Sequence, residues 1–539
     1  MESLFRKTCF IVCLAATAIS HAQSEKTVEV DLMGFGPGEI ELPYEAAFSG
    51  SESCAQCHIG HAEMQASSNM FLTGREVTEE NLDTWFSAAA LQKPVKWPEG
   101  ELSGTPHPPQ YRQRSDGVYL EGVTREGETV QVRVDAVFGS GLHAMTPMTG
   151  EPGKQSRELR VTYSHVYDTW IMTPGSFRHT DPIGYVRPPE ETDNCFFCHT
   201  TRIVWDPVQD DDLVASQSQF GVHCERCHGP GSAHIDAVVG GEDDQKILNP
   251  GKFRADKQVE FCGQCHRRSA DVEPLVALQR EVKISRHAGL SHMLSKCFRL
   301  SPPEEALSCL DCHNPHRNVD PERDQYNTPC LRCHTAPETD HESTKVIATS
   351  DCVSCHMPVQ ESAFEGMDFT DHWIRIPGTP APFKSESKGE YAAYLEASYR
   401  DAIVRTTHGE ERKTRYRMRL GELLFGMGRE VEGLEWIGKA LTFGPLHRDR
   451  LIAGELFERG GQQEKAIPIL EAAIGNAPDN DRAYYTLTRL YLRQRKLTAA
   501  ADVLARWDKA IPGDKLHAEM HAKWKRLDAR GAASGPSGG

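Results

Sequence analysis

Seven times along 539 residues, two cysteines separated by two positions are followed at once by a histidine: Cys54/Cys57/His58, Cys195/Cys198/His199, Cys224/Cys227/His228, Cys262/Cys265/His266, Cys309/Cys312/His313, Cys330/Cys333/His334 and Cys352/Cys355/His356. The spacing has a chemical meaning. Two thiols at this separation reach the two vinyl groups of one porphyrin as thioethers, and the adjacent imidazole then lies beneath the iron as proximal ligand. Tetrahedral zinc would use two such pairs, or one pair with two separated histidines, whereas here every pair carries its own. The expectation is seven covalently attached c-type haems.

Of the remaining three among 17 cysteines, Cys9 and Cys13 fall in a leader, and Cys297 is the odd one, read as a small buried hydrophobe, a free thiol near a haem or one end of an intermolecular bridge. The leader has basic Arg6 and Lys7, an apolar stretch from Cys9 to Ile19, and small residues Ser20 and Ala22 flanking His21. That pattern predicts a signal peptide over 1–22, cleaved after Ala22, and an exported, periplasmic protein with no integral membrane span. A net charge of −17 excludes nucleic acid as a partner.

The motifs are unevenly spread, with six between Cys195 and His356. So few residues per haem cannot build an ordinary core, so short helices and loops wrapped around porphyrins are expected there. In the long gap before Cys195, alternation at Val118, Leu120 and Val123 and at Val130, Val132 and Val134 predicts strands, with a third possible over Glu158 to Tyr167. The predicted fold is mainly α: an N-terminal segment 23–47, a seven-haem region 48–375 with a small antiparallel β-sheet inserted at about 110–170, a Pro-rich linker 376–398, helical repeats 399–527 and a flexible tail 528–539.

The repeats announce themselves by spacing. Gly421 and Gly454, and Ala440 and Ala473, are 33 apart, and Pro445, Pro478 and Pro512 follow suit. This resembles the tetratricopeptide repeat, a helix–turn–helix unit of roughly 34 residues. Three units over 414–514 are expected, flanked by helices Tyr399 to Thr407 and Lys515 to Leu527.

Other phrases extend the likeness: Ser49-Gly-Ser-Glu-Ser-Cys54, His228-Gly-Pro-Gly-Ser-Ala-His234, His313-Asn-Pro-His316, His356-Met-Pro, and Thr370-Asp-His-Trp373. With the repeats, they resemble bacterial multihaem cytochromes with tetratricopeptide repeats, related to the tetrahaem family that accepts electrons from hydroxylamine oxidoreductase. The resemblance implies an architecture rather than a substrate.

The second axial position of each iron separates a carrier from a catalyst: His or Met there makes a low-spin relay, and a vacancy makes a substrate site. Of 24 histidines, twelve beyond the seven proximal ones lie in the haem region. The resemblance favours His234 and His316, each following a motif closely. His143 on a Gly-rich turn and His372 beside Asp371 are further candidates, as is Met70 for the first haem. His61, on the helical face of His58, suits a different haem or solvent. His107, His165, His179, His223, His287, His292 and His341 rank below these, as distal ligands or as propionate partners along with Arg178, Arg226, Arg267 and Arg268.

The leading functional expectation is an electron-transfer cytochrome whose repeats dock a redox partner protein. The alternative is an oxidoreductase acting on a small nitrogen or sulfur compound at one open haem, with Tyr163, His165, Tyr167 and His179 as candidate proton donors. A third is a scaffold whose repeats assemble a larger complex.

Overall fold

The computed structural model describes residues 28–30, 44–97, 107–124, 127–150, 156–174, 176, 181–187, 195–206, 212–213, 219–268, 287–302, 304–335, 341, 351–360, 368–379, 388–405, 410–443, 447–478 and 480–533. The expected signal peptide, His179, Arg178, residues 380–387 of the linker and the end of the tail lie outside them. The chain divides into two compact units, one of 1–35, 40–265 and 295–374, the other of 36–39, 266–294 and 375–539.

In the first unit the β-structure is larger than expected and starts earlier. The strands include β1 (Val28–Val30), β2 (Gly74–Glu76), β3 (Val95–Lys96), β4 (Gln110–Arg114), β5 (Gly117–Val123), β6 (Thr129–Arg133), β7 (Ala136–Phe138), β8 (Ala144–Thr149), β9 (Ser156–Leu159), β10 (Val161–Ser164), β11 (Thr169–Met172), β12 (Gly184–Arg187) and β13 (Thr200–Asp206). The predicted hairpin is the three-stranded sheet β4-β5-β6, but a second sheet has eight strands, in the order β12-β9-β8-β10-β11-β3, with β7 on β8 and β2 on β7. A small insertion at 110–170 is therefore corrected to two sheets running from Gly74 to Arg187. The physical reason for the under-reading is local. β2 and β3 are too short to show a period, and β8 contains Pro147, which reads as a strand breaker.

The two sheets enclose one core. Tyr111, Val118 and Leu120 of the small sheet pack with Leu159, Val161, Tyr163 and Trp170 of the large one, and Tyr111 donates its hydroxyl to Val161 O at 2.6 Å. Phe138 and Met148 belong to a separate cluster with Phe196, inside the second motif. The sheet thus carries one of the candidate haem sites on its own framework.

The second unit is built mainly of helices: α8 (Lys388–Arg405), α9 (Glu410–Gly426), α10 (Glu430–Leu441), α11 (His447–Arg459), α12 (Gln463–Asn476), α13 (Asp481–Arg493), α14 (Leu497–Ala510) and α15 (Lys515–Ala533). The repeated glycines explain the close pairing. A Cβ on Gly421 would meet Ile437 Cγ1 at 2.6 Å and Gly433 O at 2.7 Å, and one on Gly454 would meet Leu470 Cγ at 2.6 Å. Replacing Gly421 by leucine is expected to cost about 1–3 kcal/mol. It would appear as a lower midpoint in helical circular dichroism, and an unchanged midpoint would show that α9 and α10 can separate freely. Ion pairs tie successive pairs of helices: Glu458, its side chain 1% exposed, holds Arg493 at 2.9 Å and also Arg489, while Glu471 holds Arg506 at 2.8 Å.

Candidate haem sites

Most motifs begin on a short helical turn. The first straddles α1 (Ser51–Ala55) and α2 (Ile59–Ala66); the third fills α3 (Cys224–His228), followed by α4 (Ser232–Gly240); the fourth ends α5 (Ala255–His266); the fifth opens α6 (Cys309–Cys312); and the seventh fills α7 (Cys352–His356). The turns are capped by their own sequence: Asp351 accepts from Ser354 N at 3.1 Å, and Ser308 and Asp311 form a reciprocal capping box on α6.

Four proximal candidates each face a second imidazole. Ring centroids lie 6.3 Å apart for His58 and His234, 6.2 Å for His228 and His316, 6.1 Å for His313 and His372, and 6.1 Å for His356 and His341. An iron held between two ring nitrogens at about 2 Å each puts the centroids roughly 6 Å apart, so these pairs fit an iron between them.

The tautomers fit as well. Nδ1 of His234 donates to Gln245 O at 2.7 Å, Nδ1 of His228 to Leu248 O at 2.8 Å, and Nδ1 of His372 to Thr370 O at 3.0 Å. Each bond fixes Nδ1 as the donor and leaves Nε2 as the metal-binding nitrogen, the second-shell pattern that orients a ligating imidazole. Burial also holds His228 and His316 below the usual imidazole range, favouring the neutral form that ligates.

Neighbouring motifs are joined by polar clamps. Glu225, 2% exposed, accepts from Ser49 N at 2.7 Å, Gly50 N at 2.8 Å and Gly231 N at 2.8 Å, tying the first motif to the third. Arg226 bonds Phe197 O at 2.8 Å and stacks on its ring, tying the third to the second. Gln258 accepts from Leu310 N at 2.9 Å, Arg332 pairs with Asp311 at 2.8 Å, and Asn327 accepts from Val353 N at 3.1 Å, linking the fourth motif to the fifth, the fifth to the sixth, and the sixth to the seventh. Thiols of different motifs also lie close together: Cys54 beside Cys224, Cys262 beside Cys309, and Cys330 beside Cys352.

The motifs are less alike than their repeated spacing leads one to expect. All three of those thiol contacts use the first cysteine of each motif, and Cys57, Cys198, Cys265 and Cys355 take no part in them. Cys57, Cys333 and Cys355 are exposed, and Cys198 and Cys265 are half-buried. Burial instead pushes the Cys227 thiol up to about 12, with Cys262 and Cys265 nearby, and the Cys312 thiol up to about 11. Exposure of a second thiol suits attachment, since a vinyl group must reach it for the thioether to form. His334, expected as the sixth proximal ligand, also departs from the pattern. It is exposed, just after the single 3-10 turn Cys330–Arg332, and its N–H donates to Cys330 O at 2.9 Å. His334 and the exposed His266 stand outside the four imidazole pairs.

The second motif differs in another way. His199 bonds Thr73 O through Nδ1 at 2.8 Å, but it faces no second imidazole among the described residues; Phe138 lies nearly parallel to its ring at 4.8 Å. Burial pushes His199 below the usual imidazole range.

The remaining candidates sit in varied settings. Met70 is in the turn after α2, its carbonyl accepting from Val222 N at 3.0 Å, and the place opposite His58 goes to His234. His143 is exposed, brought to no motif histidine among the described residues; its carbonyl accepts from His165 N at 2.9 Å. His61 lies 4.7 Å from the His316 ring, beside the third motif rather than in line with the first. His223 has both nitrogens engaged, Nε2 by Phe220 O at 2.8 Å and Nδ1 by Ser51 and Gln219, so it is structural as it stands. Arg268, a propionate candidate, is buried and donates to Tyr416 at 2.7 Å. Tyr163 bridges Lys93 and Asp168 from the sheet core, not from the cluster that holds the second motif. Cys297 is half-buried, its thiol pushed up chiefly by burial, with Cys333 nearby. His341 has nothing local to mark it; its 6.1 Å distance to His356 appears only in three dimensions.

Comparison with known proteins agrees with this geometry. Residues 171–229, which hold the second and third motifs, match the family "Cytochrome c554 and c-prime". Residues 460–523 match the tetratricopeptide repeat. The multiheme cytochrome MtrA of Shewanella baltica (strain OS185) is 25% identical over 178 residues, which cover 27% of this chain and 53% of MtrA. The chain therefore spans about half the length of the curated relative it matches. Among solved structures, MamA 41-end from Desulfovibrio magneticus RS-1 is 19% identical with a TM-score of 0.21, covering 28% of this chain and 90% of that one. The MamA RS-1 ArsTM double mutant is 16% identical, again with a TM-score of 0.21, covering 27% and 90%. The cytochrome family match over residues 171–229, the likeness to MtrA and the repeat match over residues 460–523 together support a multihaem cytochrome with C-terminal tetratricopeptide repeats.

Proposed function

We propose that this is an exported electron-transfer cytochrome with seven covalently attached haems, one on each Cys-x-x-Cys-His motif, whose repeats dock a redox partner protein. The observation that carries the reading is the set of four imidazole pairs at 6.1–6.3 Å, because two histidines on one iron make a low-spin carrier rather than a substrate site. Bound haem supplies the one-electron redox centres. The chain's own residues do the rest: cysteines tether, imidazoles close both faces of the iron, backbone carbonyls fix their tautomers, and the clamps hold attachment points side by side. Export rests on the leader at 1–22. Among the described residues no helix is long and apolar enough to cross a membrane.

The test is the haem-to-protein ratio of the purified chain with its optical and EPR spectra. Seven haems per chain, predominantly low-spin, are expected, and a clearly lower ratio or a mainly high-spin spectrum would overturn the reading.

One observation favours the second reading, a haem oxidoreductase for a small nitrogen or sulfur compound. His199, like His266 and His334, stands outside the four imidazole pairs, but of the three it alone is half-buried rather than exposed, with Phe138 stacked on its ring at 4.8 Å, so the second motif is the candidate for an open iron. Carbon monoxide is expected to perturb about one haem in seven, and Cys195→Ala/Cys198→Ala should abolish that response. No response in the wild-type chain would exclude an open site there.

A further inference from the structure

Charge is segregated along the chain. Residues 399–539 carry 25 Lys and Arg against 19 Asp and Glu, whereas residues 1–398 carry 35 against 58. The excess positive charge of the repeats is not spread evenly. Between α11 and α13, and between α12 and α14, arginines are matched by Glu455, Glu458 and Glu471. The last helix and the turn it packs on hold a dense group of unmatched cations.

α15 holds Lys515, Lys523, Lys525, Arg526 and Arg530 against Glu519 and Asp528. Met520, Trp524 and Leu527 take its inward face. Trp524 Nε1 donates to Leu497 O at 2.9 Å, pinning the middle of α15 to the start of α14, next in sequence to Arg495 and Lys496. Arg495, Lys523, Lys525 and Arg526 are exposed and form no ion pair among the described residues, and Lys496 reaches Glu464 only at 4.0 Å.

Resting on the docking role given to the repeats, we propose that this basic end receives the acidic, motif-bearing region of a second copy of this chain. Charge complementarity selects the occupant: residues 1–398 are the strongly acidic surface at hand, and haem propionates would add to it. The contact is head-to-tail, between two different surfaces, so it extends copy by copy unless a ring closes. It would give electrons a route from one chain to the next.

The experiment is sedimentation velocity of the haem-loaded full chain over a concentration series. At about 20 mM salt the mean mass should rise with concentration, and at about 0.5 M salt, where exposed charges are screened, it should return to that of a monomer. Lys523→Glu/Lys525→Glu/Arg526→Glu should abolish association at low salt while leaving helical circular dichroism and haem spectra intact. A chain monomeric throughout, or association that survives the charge reversal, would overturn the proposal. Stopped-flow reduction by flavodoxin, an acidic redox protein, separates the two readings. A monomeric chain whose reduction still slows on charge reversal loses self-docking but keeps partner docking through the repeats; one whose reduction is also unchanged loses both.

Discussion

Replacing His316 by alanine should convert one low-spin haem of the purified protein to high-spin and make it reactive to carbon monoxide. The two rings of His228 and His316 are 6.2 Å apart and nearly parallel, at 3°, so removing one leaves the iron between them with a single protein ligand. The change should be all-or-none for that haem and absent from the rest. One complication is built into the site: His61 lies 4.7 Å from the His316 ring and is the nearest replacement donor. His61→Ala/His316→Ala therefore completes the test. If the double variant keeps the wild-type EPR spectrum, His316 is not the distal ligand.

Glu225→Ala should be the most damaging single change near the haem motifs without touching a ligand. Its carboxylate is nearly sealed from water and accepts three backbone N–H groups drawn from two distant segments. Without it, three backbone donors, one of them buried, lose their partner and the segment before Cys54 loses its anchor. The expected cost is about 3–5 kcal/mol, the range for breaking a buried charged contact. Glu225→Gln should cost less, since one oxygen can still serve Ser49 and Gly231, while the amide nitrogen opposes Gly50 N–H. Chemical denaturation of the loaded protein checks both, with limited proteolysis reporting whether residues 44–58 come loose. Equal stability of the alanine variant and the wild type would show that the clamp is dispensable.

How much could be read beforehand followed from the range of each interaction. Haem attachment is written within five residues, so Cys54 to His356 could be assigned as candidates by inspection. What the five residues do not carry is how each motif is packed: the exposure of Cys57, Cys355 and His334, and the half-burial of Cys198 and Cys265, depend on distant neighbours. The repeats were readable because the close helix contacts at Gly421 and Gly454 demand a missing side chain at matching positions. Distal ligands were only half readable. His234 and His316 stand just after a motif and each pairs with a motif histidine, whereas His341 is marked by nothing around it, and the local settings of Met70 and His143 carry no information about a distant partner. The eight-stranded sheet was hidden for a related reason: β2 and β3 owe their place to pairing with distant strands, and two or three residues carry no period.

The axial pairs also impose a timetable. The partner of His58 stands just behind the third motif, that of His228 behind the fifth, and that of His313 behind the seventh. With an iron in each of these three pairs, the first, third and fifth motifs would be completed only after the next odd-numbered motif has appeared, whereas the seventh has His341 already in place before it. A nascent chain halted at Arg317 would have closed the pairs of His58 and His228 and left His313 waiting for His372. Maturation would run as a ratchet, each step sealed by the arrival of the following one, and a stalled intermediate would be recognisable by the single odd-numbered motif that still lacks its partner.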